Sequence, residues 1–210
     1  MIKLIWITPE AEKLIGYMAR VSNPANQDNE NVVGLLKYMI RNEHWSPFEM
    51  ASACFEINTT RDIGRQILRH RSFSFQEFSQ RYEDVSKLPE PDLRECRLQD
   101  TQNRQNSTET SDEALRKRWS HIQTEIYEAA MSYYRSALRA GIAKEQARAL
   151  LPEGLTPSRM YMSGTLRSWM HYVKLRSDPA TQKEHRLIAQ EIGRELEKQV
   201  PTIWTAWGEV

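Results

Sequence analysis

The sequence predicts an α+β fold, a mostly antiparallel central sheet flanked by long amphipathic helices. Three observations carry that prediction. Ala51, Ala53, Phe55 and Ile57 alternate with Ser52, Cys54, Glu56 and Asn58, the two-residue period of a half-buried strand. From Ala114 to Ala140 the residues Leu115, Trp119, Ile122, Ile126, Ala130, Tyr133 and Ala137 recur at three- and four-residue steps, the pattern of a long amphipathic helix. The chain of 210 residues is 40% hydrophobic and holds six Trp, enough for a sizeable core in one domain spanning 1–210.

In chain order, Ile2 to Ile7 is β-branched and apolar and reads as a first strand. Thr8-Pro9-Glu10 then predicts a helix start, with Thr as N-cap, Pro at the first helical position and an acid in the first turn. That helix runs to about Arg20 with Ala11, Leu14, Ile15 and Met18 inward, and Val21-Ser22-Asn23-Pro24 breaks it. Asn31 to Arg41 is a second amphipathic helix on the stripe Val32, Leu35, Leu36 and Met39. In His44-Trp45-Ser46-Pro47-Phe48-Glu49, Ser46 and Glu49 are spaced as a capping box around Pro47, which leaves His44 unexplained. The strand at 51–58 places Cys54 on its polar face and feeds a helix in which Asp62, Arg65, Gln66 and Arg69 share one side and Ile63, Ile67 and Leu68 the other. After Tyr82 the chain is punctuated by Pro89 and Pro91, and 99–112 is a polar loop. Gly141 closes the long helix, and Lys144 to Leu151 is a short helix ended by Pro152. Thr156 to Ser163 reads as a strand. Gly164 to Leu175 reads as a helix with Leu166, Met170 and Val173 inward and Arg167, His171 and Lys174 on the other side. Glu184 to Val200 is the last amphipathic helix, on Ile188, Ile192 and Leu196, with Trp204 and Trp207 capping the C-terminus.

The chemistry concentrates in Arg69-His70-Arg71-Ser72-Phe73-Ser74-Phe75-Gln76-Glu77-Phe78-Ser79-Gln80-Arg81-Tyr82. Cationic side chains gathered at a helix end cannot all be buried without anionic partners. Guanidinium forks match phosphate and carboxylate oxygens in pairs. An anionic ligand held where helix meets loop is the functional reading, and a solvated basic turn complementing the helix dipole is the structural one.

Spacing separates the two. Arg-His-Arg, seven residues, then Ser-x-Arg-Tyr resembles the signature of the flavin-dependent thymidylate synthases. The run from His44 to Glu49 and the segment Glu145-Gln146-Ala147-Arg148 before Leu151-Pro152 are similar to two further segments of that family, so the likeness extends from about Ser22 to Arg176. The chain departs from the family's pattern at Thr165 and His171, where Asn is common, though each keeps a hydrogen-bonding group. The Pro152-Glu153-Gly154 turn also runs a residue longer than in some relatives.

The resemblance implies reductive methylation of dUMP to dTMP, with FAD reduced by NADPH and methylenetetrahydrofolate as carbon donor, in a homotetramer with sites between subunits. It implies Gln66, Arg69, Glu77, Ser79, Gln80, Arg81, Arg148 and Arg176 as nucleotide residues, with Arg148 and Arg176 nearest the base. It implies Ser22, His44, Ser46, Glu49, Arg69, His70, Arg71, Ser72, Glu77, Thr165, Arg167 and His171 as the flavin and folate set. The catalytic candidates are Arg148, Arg176 and Ser79. The arginines would polarise the uracil carbonyls. Ser79, with no His-Asp pair placed to activate it, is a hydrogen-bonding ligand rather than a nucleophile.

Composition excludes several alternatives. A net charge of +1 gives no global field for polyanions, so any anion site is local. Cys54 and Cys96 are the only cysteines and show no metal-ligand spacing, which predicts a reducing compartment and no metal site. The N-terminal run lacks a signal-peptide pattern and no stretch suits a membrane span, so the chain reads as soluble and cytoplasmic, without membrane or nucleic-acid partners. The competing class is a single-stranded nucleic-acid module using Arg61, Arg65, Arg69, Arg71 and Arg81 on phosphates and Phe73, Phe75, Phe78 and Tyr82 for stacking. A third is a relative that binds nucleotide without catalysis.

Overall fold

The computed structural model describes residues 2–208. Its sheet is built from β1 (Ile2–Ile7), β2 (Ser52–Thr60), β3 (Ser74–Glu77) and β6 (Pro157–Thr165), antiparallel throughout in the order β1-β2-β6-β3. The helices are α1 (Ala11–Ala19), α2 (Val33–Arg41), α3 (Arg61–Ile67), α4 (Glu113–Arg139), α5 (Lys144–Ala147), α6 (Leu166–Arg176), α7 (Lys183–Gln199) and α8 (Pro201–Gly208). A separate hairpin pairs β4 (Arg97–Gln99) with β5 (Ser107–Glu109). The α+β class and antiparallel sheet are as the sequence predicts. No helix among the described residues is long and apolar enough to cross a membrane.

The alternation at 51–57 sends Ala53, Phe55 and Ile57 into a core shared with Met160 and Met162 of β6, Ile63 and Ile67 of α3, and Ile188 and Ile192 of α7. Trp169 of α6 is fully buried there, and its indole N–H donates to the Ala53 carbonyl at 3.1 Å, so its one polar group is satisfied. Burying each such large side chain contributes about 1.5–3 kcal/mol. This packing seats both α3 and α6 on α7 and on β6, which is what positions the arginines they carry.

Several expectations are corrected. α1 begins two residues later than Thr8-Pro9 implies, at a Glu10 cap with φ 49°. Thr8 instead exchanges hydrogen bonds with Ser52, its hydroxyl accepting from the Ser52 N–H at 2.9 Å, because that closes the β1–β2 ladder. Met18 is exposed, and Gly16, against Val32, takes the inward place beside Ile15. The Ser46–Glu49 capping box does not form: the short 3-10 turn there starts after Trp45 with no side-chain cap, and Glu49 reaches Arg167 instead. Cys54 is buried rather than on an open polar face, flanked across the strands by Trp6 and Ser163. Residues 99–112 are not all loop but carry the tip and second strand of the hairpin.

The long helix forms as predicted, but within one chain its apolar stripe is not the buried side: Leu115, Trp119, Ile126 and Tyr133 are exposed, and the buried residues are Gln123, Met131 and Tyr134. A smaller core of Val85, Leu88, Met131, Tyr134 and Ala147 holds α4 against α5 and the segment after β3.

Candidate functional site

α3 ends at Ile67, and the chain turns through His70, whose N–H donates to the Ile67 carbonyl at 3.1 Å. Phe73 then anchors the turn: it is buried edge-on to Trp169 at 4.6 Å. A Cβ at Gly164 would lie 2.4 Å from the Phe73 ring, so glycine is required for that approach. Ser74–Glu77 follows as an edge strand on β6, a strand the sequence pattern did not announce.

The turn brings together a first group of the predicted residues. Gln66, Arg69 and Arg176 line a cavity of about 370 Å³ with Gln105, Ala180, Thr181 and Gln182. No carboxylate lies on that wall. Arg176 donates through Nε to His70 Nε2 at 2.9 Å. Burial, reinforced by the Arg176 charge, pushes the His70 pKa down to about 4, so the ring is neutral and accepts. Arg69 and Arg71 are exposed and have no carboxylate partner among the described residues.

Behind this wall stand two residues that sequence reasoning missed. His185 of α7 is fully buried, its Nε2 at 3.1 Å from the Tyr172 hydroxyl and its Nδ1 at 3.3 Å from Gln66 Oε1. Burial first, then Arg176 and His70, push its pKa to about 3. Burial likewise raises that of Tyr172. The signal for His185 was available: it lies three residues before Ile188 on the same buried stripe of α7.

A second group lies on another side of α3. Arg61, Arg65, Gln80, Glu145, Arg148 and Thr156 line a cavity of about 330 Å³. Here three arginines are matched by carboxylates: Arg61 pairs with Glu77 at 3.0 Å, Arg65 with Glu153, and the adjoining Arg81 with Glu145 at 3.2 Å, whereas Arg148 donates through Nε to the Glu145 backbone carbonyl at 3.3 Å. Glu77 also accepts from the Ser158 hydroxyl at 2.8 Å, so it faces inward as an anchor of the loop. Ser79 is exposed, its carbonyl accepting from the Tyr82 and Glu83 N–H groups at 3.0 Å. Gln80 is buried with 7% of its surface exposed, and its amide nitrogen has no partner, a donor left for a ligand in that cavity.

The third group is aromatic. Glu49 pairs with Arg167. His171 sits edge-on to Trp45 at 5.1 Å and to Trp207 at 5.7 Å, and Lys174 lies 4.7 Å over the Trp207 ring. Burial lowers the His171 pKa, with Arg167 and Lys174 adding to the effect. His44 is exposed and meets Tyr38 edge-on at 5.8 Å. Ser46 is exposed at the start of its turn. Thr165 caps α6 through Oγ1, accepting from the Ser168 N–H at 3.2 Å, and the Ser72 carbonyl accepts from the Ser168 hydroxyl at 3.4 Å. Ser22 stands apart on the exposed loop after α1.

The nucleic-acid alternative loses most of its stacking platform, because Phe73 is buried and Phe75 and Phe78 are half-buried against the two cores, and of the four aromatics Tyr82 alone is exposed. Groups of three or more metal ligands are absent among the described residues. The donor set fits an anionic cofactor instead: Arg69, Arg71 and Ser72 offer two uncompensated guanidiniums and a hydroxyl, the chemistry a diphosphate requires. A further cavity of about 510 Å³, lined by residues 88–94, the ends of β2 and β6, and α7, contains none of the predicted site residues.

The family model described as "Thymidylate synthase complementing protein" matches residues 3–202. A "Flavin-dependent thymidylate synthase" of Synechocystis is 50% identical over 195 residues, covering 93% of this chain and 88% of that protein. A "Probable flavin-dependent thymidylate synthase" of Paramecium bursaria Chlorella virus 1 is 50% identical over 194 residues, covering 92% of this chain and 88% of that one. Among solved structures, the UMP/dUMP methylase PolB of Streptomyces cacaoi bound with 5-Br dUMP superposes with a TM-score of 0.85 at 27% identity, covering 100% of this chain and 94% of its own.

Proposed function

The chain belongs to the family of thymidylate synthase complementing proteins, whose members include flavin-dependent thymidylate synthases, and from that premise we propose that it converts dUMP to dTMP by reductive methylation. Methylenetetrahydrofolate is the carbon donor in this reading, and NADPH supplies reducing equivalents through FAD. The observation that carries it is the carboxylate-free wall of Gln66, Arg69 and Arg176, supported from behind by a neutral His70. Such a wall offers cationic donors and no carboxylate to repel an anion, which suits an anionic nucleotide with acceptor carbonyls.

When bound, FAD supplies the redox chemistry and the protein orients it. Arg69, Arg71 and Ser72 hold its phosphates, with Arg167, His171 and His44 nearby on the aromatic side. Arg176 keeps its Nε on His70 and directs its remaining N–H donors to the uracil, where they stabilise negative charge as it develops on a carbonyl oxygen. Gln80, Ser79 and Arg81 hold phosphate and sugar. No thiolate adds to the pyrimidine in this scheme: burial raises the Cys54 thiol pKa, and Cys54 lies covered within the sheet.

Arg148 and Arg176 line different cavities of one chain. Completing the site between copies would let both meet one uracil, and a homotetramer with interfacial sites accounts for the exposed apolar residues of α4 as well. The first experiment is the visible spectrum of the purified protein before and after denaturation, followed by dTMP formation from dUMP, methylenetetrahydrofolate and NADPH. A released chromophore behaving as FAD, with dUMP-dependent turnover, is the expected result. Absence of flavin, with none taken up on addition of FAD, would sink the reading and make single-stranded nucleic acid the next ligand to test.

A further inference from the structure

A directed chain of hydrogen bonds runs behind the nucleotide cavity, and its direction follows from one group that can only accept. Glu184 is held by Arg97 at 2.6 Å, so it is a carboxylate. Gln182 Nε2 donates to it at 3.0 Å, which turns Gln182 Oε1 outward to accept from Gln66 Nε2 at 2.7 Å. Gln66 Oε1 therefore faces His185, 3.3 Å from Nδ1. An amide oxygen only accepts, so the proton of His185 is on Nδ1. Nε2 is then a lone pair, and the Tyr172 hydroxyl, 3.1 Å away, donates to it. Each member has one orientation, because reversing any of them sets two lone pairs or two protons against each other.

We propose that His185 is a positioning residue for the nucleotide: its neutral Nδ1–H tautomer fixes the Gln66 amide so that the second amide hydrogen is presented to an acceptor oxygen of the bound pyrimidine nucleotide. The inference rests on the dUMP reading. Without the Nδ1–H donor, the Gln66 amide is free to turn over and place its own oxygen against the nucleotide's acceptors. His185 itself is fully buried and does not line the cavity, so it acts only through Gln66.

Two conservative variants separate the ring nitrogens. In H185N the amide nitrogen occupies the Nδ1 position and keeps the donor to Gln66. In H185Q the amide reaches the Nε2 position, keeps a partner for Tyr172 and loses that donor. With the FAD-loaded enzyme, H185Q should weaken equilibrium dUMP binding about tenfold and raise KM for dUMP with little change in kcat, while H185N stays within about threefold of the parent. In a Q66A background, H185Q should have no further effect on dUMP affinity. Equal losses in H185N and H185Q, or losses that add in the Q66A background, would assign His185 a structural role only and overturn the proposal. The unmutated protein provides a test independent of variant folding: imidazole nitrogen chemical shifts should show His185 as the Nδ1–H tautomer, and the Nε2–H tautomer would refute the chain. If the parent enzyme binds no dUMP, the nucleotide reading fails with it. If it binds dUMP and the variants do not differ, the inference alone fails.

Discussion

The two arginine-lined cavities built on α3 differ in what their guanidiniums face. On one wall Arg61, Arg65 and the adjoining Arg81 each meet a carboxylate. On the other, Arg176 meets the lone pair of a neutral histidine and Arg69 meets no carboxylate. A carboxylate orients a guanidinium by cancelling its charge, and an incoming anion must displace it. A neutral imidazole orients the same group and leaves the charge intact. The histidine-backed wall is thus preorganised for an anion, whereas on the other wall the three carboxylate-paired arginines have first to exchange partners and Arg148, held by the Glu145 backbone carbonyl, does not.

The comparison is broken most directly at Arg69. Because its guanidinium is exposed and without a carboxylate partner, Arg69→Ala should leave the melting temperature nearly unchanged while lowering dUMP-dependent turnover about tenfold to a hundredfold, the loss expected when a hydrogen bond to a charged group, worth about 1.5–3 kcal/mol, is removed from a bound anion. Circular dichroism melts and steady-state rates measured on the same preparation check both halves. Unchanged turnover would remove the histidine-backed wall from the active site.

The same arrangement makes an acid-stability prediction. His70 and His185, with pKa values of about 4 and about 3 in the folded chain, both lie below the ordinary 6.5 of histidine. Below pH 6.5 the unfolded chain takes up protons that the folded chain refuses, so their contribution is full above 6.5 and is lost as pH falls towards 4 and then 3. The loss is on the order of a few kcal/mol in sum, reduced by the partial exposure of His70. Melting temperatures measured across that window should fall, and H185Q, which removes one of the two groups, should fall less steeply than the parent. Equal slopes would mean that carboxylate protonation, not the histidine pair, sets the acid limit.

The sheet and the identity of the cationic turn were legible because they rest on local signals: the two-residue period at 51–57 and the fixed spacing from Arg69 to Tyr82. What failed were inferences about which partner wins. Thr8 and Ser46 are good caps in isolation, but Thr8 serves strand pairing to Ser52, and Glu49, the other half of the proposed box, is taken by Arg167. The stripe of α4 has the right period, yet a single chain buries Gln123, Met131 and Tyr134 beside it, since periodicity shows that a face is apolar and not what covers it. At the site, the arginines were readable as a set. Their division between two cavities was not, because it depends on carboxylates such as Glu145 and Glu153 that lie far away in sequence. His185 was readable from its place on the buried stripe of α7, three residues before Ile188, but its charged neighbours Lys183, Glu184 and Arg186 make it look like a solvated histidine.

The smallest expected effect sharpens the comparison from the other side. Arg81 reaches Glu145 through Nε at 3.3 Å and a terminal nitrogen at 3.2 Å, and both side chains are exposed. Such a pair contributes under about 1 kcal/mol to stability, so Glu145→Gln should barely move the melting temperature. The loop would not be released, because Lys144 still donates to the Tyr82 carbonyl at 2.9 Å and lies 3.6 Å from Glu83. Only the Arg81 charge is freed. If Arg81 holds the nucleotide phosphate, losing its competitor should tighten dUMP binding a few-fold at low salt, with the gain fading as ionic strength screens it. Titration calorimetry of dUMP at two salt concentrations decides the matter. Weaker binding in Glu145→Gln would make Glu145 a ligand residue itself rather than a partner to be displaced, and the distinction between a preorganised wall and an exchanging one would then fail at this position.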